Sequence, residues 1–379
     1  MNQRVFEKSG AKVSLLGFGC MRFPLDEQGR IDRDKSSEML DYAYRNGVNY
    51  FDTAYPYHDK ESELFVGEFL KRYPRESFYL ATKLPCWEVK TLDDAKAMFE
   101  NQLSRLQKDY VDFYMLHALS ASSWATMRDL GVVEYLLSLK ETGKLRHLGF
   151  SFHDEYAVFD DIVHYCDWDF CQLQLNYMDT REQAGIKGCE LAKSLGIPVV
   201  VMEPIKGGSI ANLPDDIVSV FSDLRPSDSA ARWAMRWVGS LDNVKVILSG
   251  MSAMDQVVEN CETFTDFEPL SEEEKNVVGR VEKMLHARIN NGCTACGYCM
   301  PCPFGVDIPG NFKLWNDYAM YGNKGEVIWQ WTKQFSPDAK AEKCAECGAC
   351  MAVCPQSLSI IEDLKTLQSE FDQLVADSE

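Results

Sequence analysis

The chain has 379 residues, 46% of them hydrophobic, enough apolar material for a large buried core and for more than one domain. Its 58 acidic against 39 basic residues give a formal net charge of -19, which repels phosphate backbones and anionic membrane surfaces and excludes a general nucleic-acid binder. The 14 cysteines are uneven: six precede residue 293 and eight lie between Cys293 and Cys354, so two regions of different chemistry are expected.

The first residues, MNQRVFEKSGAKVSLLGFG, lack the basic segment, apolar run and cleavage site of a secretory signal. No apolar stretch reaches the roughly 18 residues of a membrane span. A cytoplasmic, reducing location is the expectation, and there dense cysteines point to metal ligation before disulfides.

A leading hairpin is expected, Arg4 to Phe6 pairing with Lys12 and Val13 across Ser9-Gly10. Short apolar runs then alternate with longer amphipathic stretches, the pattern of a parallel sheet covered by helices. The strands predicted are Ser14 to Gly17, Tyr50 to Asp52, Phe78 to Lys83, Asp112 to Leu116, His147 to Ser151, Cys171 to Asn176, Pro198 to Glu203 and Val244 to Ser249. Helical patterns fall near residues 33–46, 61–71, 92–107, 130–142, 155–165, 183–195, 227–239 and 254–264. Eight of each match a (β/α)8 barrel, an α/β TIM-barrel architecture. Gly47, Gly143 and Gly196 each close a helical pattern before a strand, where a left-handed terminus suits a residue without a Cβ. Ser271 and the acidic residues after it start a helix running to about Ile289. The domains expected are a barrel over 1–266, a connecting helix over 267–292 and a small, mainly helical metal-binding domain over 293–379.

In this fold, active sites gather at the carboxyl ends of the strands. The polar strand ends are Asp52, Lys83, His117, Ser151, Asn176, Glu203 and Ser249. Along the sixth strand Gln172, Gln174 and Asn176 share one face by a period of two.

With these residues the chain resembles an aldo-keto reductase over roughly residues 1–265. The resemblance rests on Gly17-Phe18-Gly19, Phe51-Asp52-Thr53-Ala54-Tyr55-Pro56-Tyr57, Ala81-Thr82-Lys83, Tyr114-Met115-Leu116-His117, Gly149-Phe150-Ser151, Glu203-Pro204 before Gly207-Gly208, and Glu259-Asn260. It implies a catalytic tetrad of Asp52, Tyr57, Lys83 and His117. The chemistry suits these groups: hydride addition to a carbonyl builds charge on oxygen, and Tyr57 is the candidate proton donor. Lys83 would lower the Tyr57 phenol toward the working range, Asp52 would keep that lysine charged, and His117 would position the carbonyl. The structural alternative is an Asp52–Lys83 ion pair with a rim tyrosine and a core histidine.

The resemblance also implies NADP or NAD as cofactor. Contacts would come from Ser151 and Gln172 at the carboxamide, Gly207 and Gly208 under the pyrophosphate, Ser249, Gly250 and Ser252 at phosphate, and Gln256, Glu259 and Asn260 near the adenine, with Gly19 and Glu203 as further cofactor contacts. Free backbone amides at the start of the helix after Gly250 suit a phosphate. Three departures stand out: Ser252-Ala253-Met254 supplies no basic residue for a 2′-phosphate, Met202 replaces a stacking aromatic, and Phe152 stands where some relatives carry asparagine. Another ring, a flavin, is therefore open. Candidate substrate walls are Phe23, Tyr55, Cys86, Trp87, Trp124 and His153.

In the tail, Cys293-x2-Cys296-x2-Cys299-x2-Cys302-Pro303 recurs as Cys344-x2-Cys347-x2-Cys350-x3-Cys354-Pro355, the spacing that holds 4Fe-4S clusters. Resemblance to two-cluster ferredoxins implies one cluster on Cys293, Cys296, Cys299 and Cys354, and another on Cys344, Cys347, Cys350 and Cys302. Zinc in four-cysteine sites, or a single cluster, stays open at this point. The 41 residues between the motifs carry possible helices at Asn311 to Tyr321 and Lys324 to Gln334, whose Phe312, Trp315, Trp329 and Trp331 are expected to form a core. Cys20, Cys86, Cys166, Cys171, Cys189 and Cys261 lack ligand spacing and are expected to pack as small hydrophobes.

The functional expectation is an iron-sulfur oxidoreductase that reduces a small-molecule carbonyl substrate with NAD(P)H, binding neither nucleic acid nor membrane. Nicotinamide moves two electrons as hydride and a cluster moves one, so a second reading is an electron-transfer enzyme or subunit working with a flavin or a redox partner protein. A third is a nonredox assembly protein with structural clusters.

Overall fold

Ser14 ends one strand and turns the chain into the next. Its hydroxyl donates to the Leu16 carbonyl at 2.6 Å and accepts from the Asn49 N–H, while its own N–H donates to the Asn49 side chain. In this computed structural model, which describes residues 1–378, the run expected as one strand from Ser14 to Gly17 is therefore two. The strands are β1 (Gln3–Phe6), β2 (Ala11–Ser14), β3 (Leu16–Gly19), β4 (Tyr50–Asp52), β5 (Tyr79–Pro85), β6 (Val111–Leu119), β7 (Leu145–Phe152), β8 (Phe170–Gln174), β9 (Val199–Met202) and β10 (Val244–Ser249).

β1 and β2 form the expected antiparallel hairpin, and β3 to β10 close a parallel barrel in chain order, with β10 pairing β3. Hydrophobic burial sets this arrangement, since Phe6 and Val13 of the hairpin join Tyr50, Phe113, Phe170 and Val246 in one buried cluster that plugs the barrel floor. The polar ends of the strands are left at the opposite rim. Gly47, Gly143 and Gly196 end their helices at φ of 91°, 76° and 67°, where a Cβ would be strained.

The eight expected helices of the barrel region are all present, as Arg33–Arg45, Ser62–Phe69, Leu92–Leu106, Val132–Glu141, Tyr156–Val163, Gly185–Ser194, Ala230–Gly239 and Met254–Thr265. Four more were not expected: Ala121–Asp129, Asp215–Ser222, Ala349–Val353 and Ile360–Ala376. The first begins in a serine-rich run that reads as loop, but Ser120 caps it by accepting from the Ser123 N–H.

The chain divides into two compact units, residues 1–207 with 232–271, and residues 208–231 with 272–379. This division differs from the contiguous 1–266, 267–292 and 293–379 expected from the sequence. Helix Asp215–Ser222 packs with helix Glu272–His286, and the ion pairs Arg288–Asp216 and Arg225–Glu274 tie these segments inside the second unit. That unit has its own core of Phe312, Trp315, Trp331, Leu364, Leu367 and Phe371. Trp329, expected in this core, is exposed instead. No described helix is long and apolar enough to cross a membrane.

Candidate functional site

Asp52 ends β4, Lys83 lies beside it on β5, and both are almost fully buried. Lys83 Nζ donates to Asp52 Oδ1 at 2.5 Å and to the Thr53 carbonyl at 2.8 Å. Tyr57 sits in the loop after β4 with its ring centroid 5.0 Å from Lys83 Nζ. The Tyr57 and His117 rings meet edge to face at 6.1 Å, and the Trp87 ring lies tilted against His117 at 5.0 Å. The structure thus brings together the four residues expected as a tetrad.

His117 reaches this position through a local irregularity. The β6–β7 register shifts between Leu116 and Leu119, Ala118 takes a φ of 53°, and the Ala118 N–H donates to Ser151 Oγ at 2.7 Å. Ser151 therefore supports the backbone that presents His117. His117 Nδ1 is buried without a hydrogen-bond partner, a group that a polar ligand would satisfy.

Burial opposes the Lys83 charge, but Asp52 and Tyr57 outweigh it and hold the ammonium above its ordinary pKa. Burial pushes the Asp52 carboxyl up against the pull of Lys83. Burial and Lys83 together push His117 well below its usual value, so the imidazole is neutral at pH 7. The expectation for Tyr57 needs correction: burial raises its phenol above the ordinary value, and Lys83 only moderates that rise. Tyr57 is a protonated acid across the neutral range.

Around this centre the residues expected to hold a dinucleotide fall into three groups. Gln172 is buried with its carbonyl oxygen unpartnered. Gln174 and Asn176, expected to face a ligand with it, instead donate to Asp179, which also pairs with Lys206 at 2.5 Å. Glu203, Lys206, Gly207 and Gly208 all adopt positive φ, in a turn closed by the Lys206 N–H donating to the Glu203 carbonyl at 3.1 Å.

At the end of β10, Ser249 Oγ accepts from the Asn260 side chain at 3.1 Å, and a Cβ on Gly19 would lie 3.2 Å from the Ser249 carbonyl oxygen. The Ser252 N–H, expected to be free for phosphate, donates to the Gln256 side chain at 2.8 Å. Glu259 is half-buried on the same helix. No basic residue neighbours this loop in the chain, but the fold brings one from β3's end: the Arg22 side chain packs on Gly250, and the Arg22 carbonyl accepts from Ser252 Oγ at 2.7 Å.

Three candidate substrate walls are corrected. Phe23, Cys86 and Trp124 are each 3% exposed. Phe23 packs on Phe18 and Phe65, and the Trp124 indole donates to Asp161 at 2.9 Å. Trp87 is exposed at the rim, as is His153, and Tyr55 is half-buried. Five of the six scattered cysteines are buried and Cys166 is intermediate, in keeping with packing roles.

A model of the aldo/keto reductase family matches residues 15–283. The chain belongs to this family. A probable aldo-keto reductase of Glycine max is 33% identical over 156 residues, 38% of this chain and 42% of that protein. An L-galactose dehydrogenase of Arabidopsis thaliana is 25% identical, covering 74% of this chain and 93% of the relative. An NADH-specific methylglyoxal reductase of Escherichia coli strain K12 is 28% identical over 61% of this chain and 83% of its own. Among solved structures, a Bacillus halodurans aldo-keto reductase in its holo form superposes with a TM-score of 0.63 at 26% identity, covering 74% of this chain and 96% of that one. A Klebsiella pneumoniae aldo-keto reductase in complex with NADPH shares the fold at a TM-score of 0.62 and 22% identity, covering 74% and 96%.

Beyond the aldo/keto reductase region, the second unit gathers its eight motif cysteines around two cavities. One, of about 20 Å³, is lined by Cys293, Cys296, Cys299 and Cys354 with Phe312 and Ile360. The other, of about 210 Å³, is lined by Cys302, Cys344, Cys347 and Cys350 and also by Cys299, which lines both cavities. The last cysteine of each motif thus faces the cavity of the other motif. Among the described residues no three His, Cys, Asp or Glu side chains are grouped closely enough to hold a single metal ion. A 4Fe-4S dicluster domain model matches residues 292–359.

Proposed function

We propose that this iron-sulfur aldo/keto reductase interconverts a carbonyl compound and its alcohol with a nicotinamide dinucleotide, Tyr57 moving the proton. The observation that carries the reading is the placement of a protonated phenol between a buried ammonium and a neutral imidazole whose Nδ1 lacks a partner. The bound dinucleotide supplies the hydride. In the reductive direction, negative charge grows on the substrate oxygen, and Tyr57 Oη gives its proton to that oxygen. Lys83 then stabilises the tyrosinate left behind, and Asp52 keeps Lys83 charged and aimed. Neutral His117 offers a hydrogen bond that orients the carbonyl without competing as an acid. The relatives include one named as a reductase and one as a dehydrogenase, in keeping with a reversible reaction.

Gln172, Ser151 and Gly19 would line the nicotinamide end, Ser249, Gly250, Ser252 and Asn260 the phosphate end, with Arg22 as its cation. NADP and NAD both fit this description. The crossed cavities support one 4Fe-4S cluster on Cys293, Cys296, Cys299 and Cys354 and another on Cys344, Cys347, Cys350 and Cys302; bound clusters supply one-electron transfer.

A second reading, electron transfer with a flavin or redox partner, is favoured by the dicluster domain itself. Tyr57→Phe separates the two. Carbonyl-dependent NAD(P)H oxidation should fall by about a hundredfold or more with folding unchanged, whereas undiminished turnover removes Tyr57 as the acid.

A further inference from the structure

Immediately after Tyr57 the backbone does something costly. His58, Asp59 and Lys60 have φ of 51°, 50° and 73°, three successive left-handed residues with no glycine among them. A residue with a Cβ enters this region at a price in strain, and such a run persists only where the surroundings over-determine it.

The groups that hold it are identifiable. The His58 carbonyl accepts from the Glu61 N–H at 2.9 Å, and His58 Nε2 accepts from the Phe23 N–H at 3.1 Å. The Lys60 carbonyl accepts from an Arg105 Nη2. Arg105 also lies over the Tyr55 ring at 5.0 Å and donates through Nε to Glu63 Oε2 at 2.8 Å. One guanidinium therefore grips the strained turn, the aromatic before it and the helix after it.

Glu63 extends the grip to the other half of the tetrad. It is fully buried, and its Oε1 accepts from Thr82 Oγ1 and Gln102 Nε2, both at 2.7 Å. Gln102 Nε2 also donates to the Lys83 backbone carbonyl at 2.9 Å, and its oxygen accepts from the Tyr114 hydroxyl at 2.7 Å. Gln102 and Arg105 share one helix face by their spacing of three. Gly67 lets that helix approach closely, since a Cβ there would lie 2.4 Å from the Leu106 carbonyl oxygen.

We propose that Arg105 and Glu63 are positioning residues that set the Tyr57–Lys83 geometry, Arg105 by clamping the left-handed turn after Tyr57 and Glu63 by coupling that clamp to the Lys83 peptide. The proposal rests on the reading of Tyr57 as proton donor. Neither residue touches substrate or dinucleotide in it.

The test uses the whole protein, with NAD(P)H oxidation measured on an aldehyde that the wild type turns over. Arg105→Ala should lower kcat about tenfold or more while leaving the KM for dinucleotide within about twofold. It should also move the alkaline limb of the kcat profile to higher pH, because Tyr57 retreats from Lys83. Adding Lys60→Gly to Arg105→Ala should recover much of kcat, since glycine takes the left-handed turn without a clamp, and should return the alkaline limb toward its wild-type position, which a gain in stability alone would not do. Should Arg105→Ala fail to fold, Arg105→Lys, which keeps a charge for Glu63 but loses the fork to the Lys60 carbonyl, carries the same kcat and pH readouts. Wild-type kcat and pH limb in the Arg105 variant, or a low kcat that Lys60→Gly does not raise, overturns the proposal. Tyr57→Phe run alongside distinguishes the levels: an active Tyr57→Phe removes the underlying reading, whereas an inactive one beside a fully active Arg105→Ala removes only the clamp.

Discussion

Lys83 Nζ and Asp52 Oδ1 meet at 2.5 Å with both side chains almost fully buried. A pair this deep is weak support for stability in itself, because desolvating two charges offsets most of their attraction. Its arrangement is nevertheless specific. The ammonium also binds the Thr53 carbonyl, and its remaining influence falls on the Tyr57 ring.

Breaking the pair from one side should be costly. Asp52→Asn leaves a buried ammonium without its counter-charge and should cost about 3–5 kcal/mol in denaturant unfolding. The double variant Asp52→Asn/Lys83→Met removes both charges and should be less destabilised than the two single losses combined. Additive losses across the four proteins would mean that the two residues do not act as an ion pair.

The pH dependence of turnover follows from the tetrad's environment. With the Tyr57 phenol raised by burial and His117 lowered well below its ordinary value, neither group changes charge near neutrality. The kcat/KM for carbonyl reduction should be flat through the neutral range and fall only above about pH 10 as Tyr57 loses its proton. Lys83→Met removes the charge that restrains the rise, so the alkaline limb should move higher while kcat drops by about a hundredfold. A wild-type limb between pH 6 and 8 would contradict the assignment of Tyr57 as acid.

Much of the fold was legible because its signals are local. Strand runs, helix-closing glycines and polar strand ends lie within a few residues of one another, whereas the tetrad, with Tyr57 in the loop after β4, was marked by the resemblance to aldo-keto reductases. Glu63, Arg105 and Gln102 were not legible, because nothing in the sequence says that residue 63 finds residue 105. The same holds for Arg22, distant in sequence from the Ser252-Ala253-Met254 loop but packed on its neighbour Gly250 in the fold. Trp124 misled for the opposite reason: an aromatic in an expected mouth loop suggests a substrate wall, but the unforeseen helix Ala121–Asp129 turns it into the core. The helix Ile360–Ala376 could have been found, since Ile360, Leu364, Leu367, Phe371 and Leu374 recur at helical spacing and are its buried face.

The barrel floor carries its own pH sensitivity. His147 is 6% exposed and stacks on Phe113 with ring centroids 4.5 Å apart. Burial pushes its imidazole down to about 4, against the pull of Asp169. A folded-state value below the unfolded one means that the unfolded chain takes the proton first. Stability from neutral His147 is therefore complete above about pH 6.5 and is lost as the pH falls toward 4, on the order of 3 kcal/mol in total. His147→Gln cannot titrate, so its melting temperature should fall less than the wild type's between pH 7 and 5. Parallel slopes for the two proteins would remove His147 as the cause.

The crossing of the two cysteine motifs can be decided by counting iron. In the crossed arrangement Cys302 belongs with Cys344, Cys347 and Cys350, whose cavity it lines, and Cys354 belongs with Cys293, Cys296 and Cys299. Anaerobically purified protein with two four-iron clusters should hold about 8 irons per chain. Cys302→Ala/Cys344→Ala then removes two ligands from one cluster and should leave about 4 irons, with the absorbance of the other cluster intact. If each motif instead held its own cluster, the same double variant would damage both and the iron content would fall well below 4. Cys302→Ala/Cys354→Ala reverses the logic, striking both clusters in the crossed and the sequential arrangement alike. It therefore serves as the control for complete loss, and the difference in iron between the two double variants measures the crossing directly.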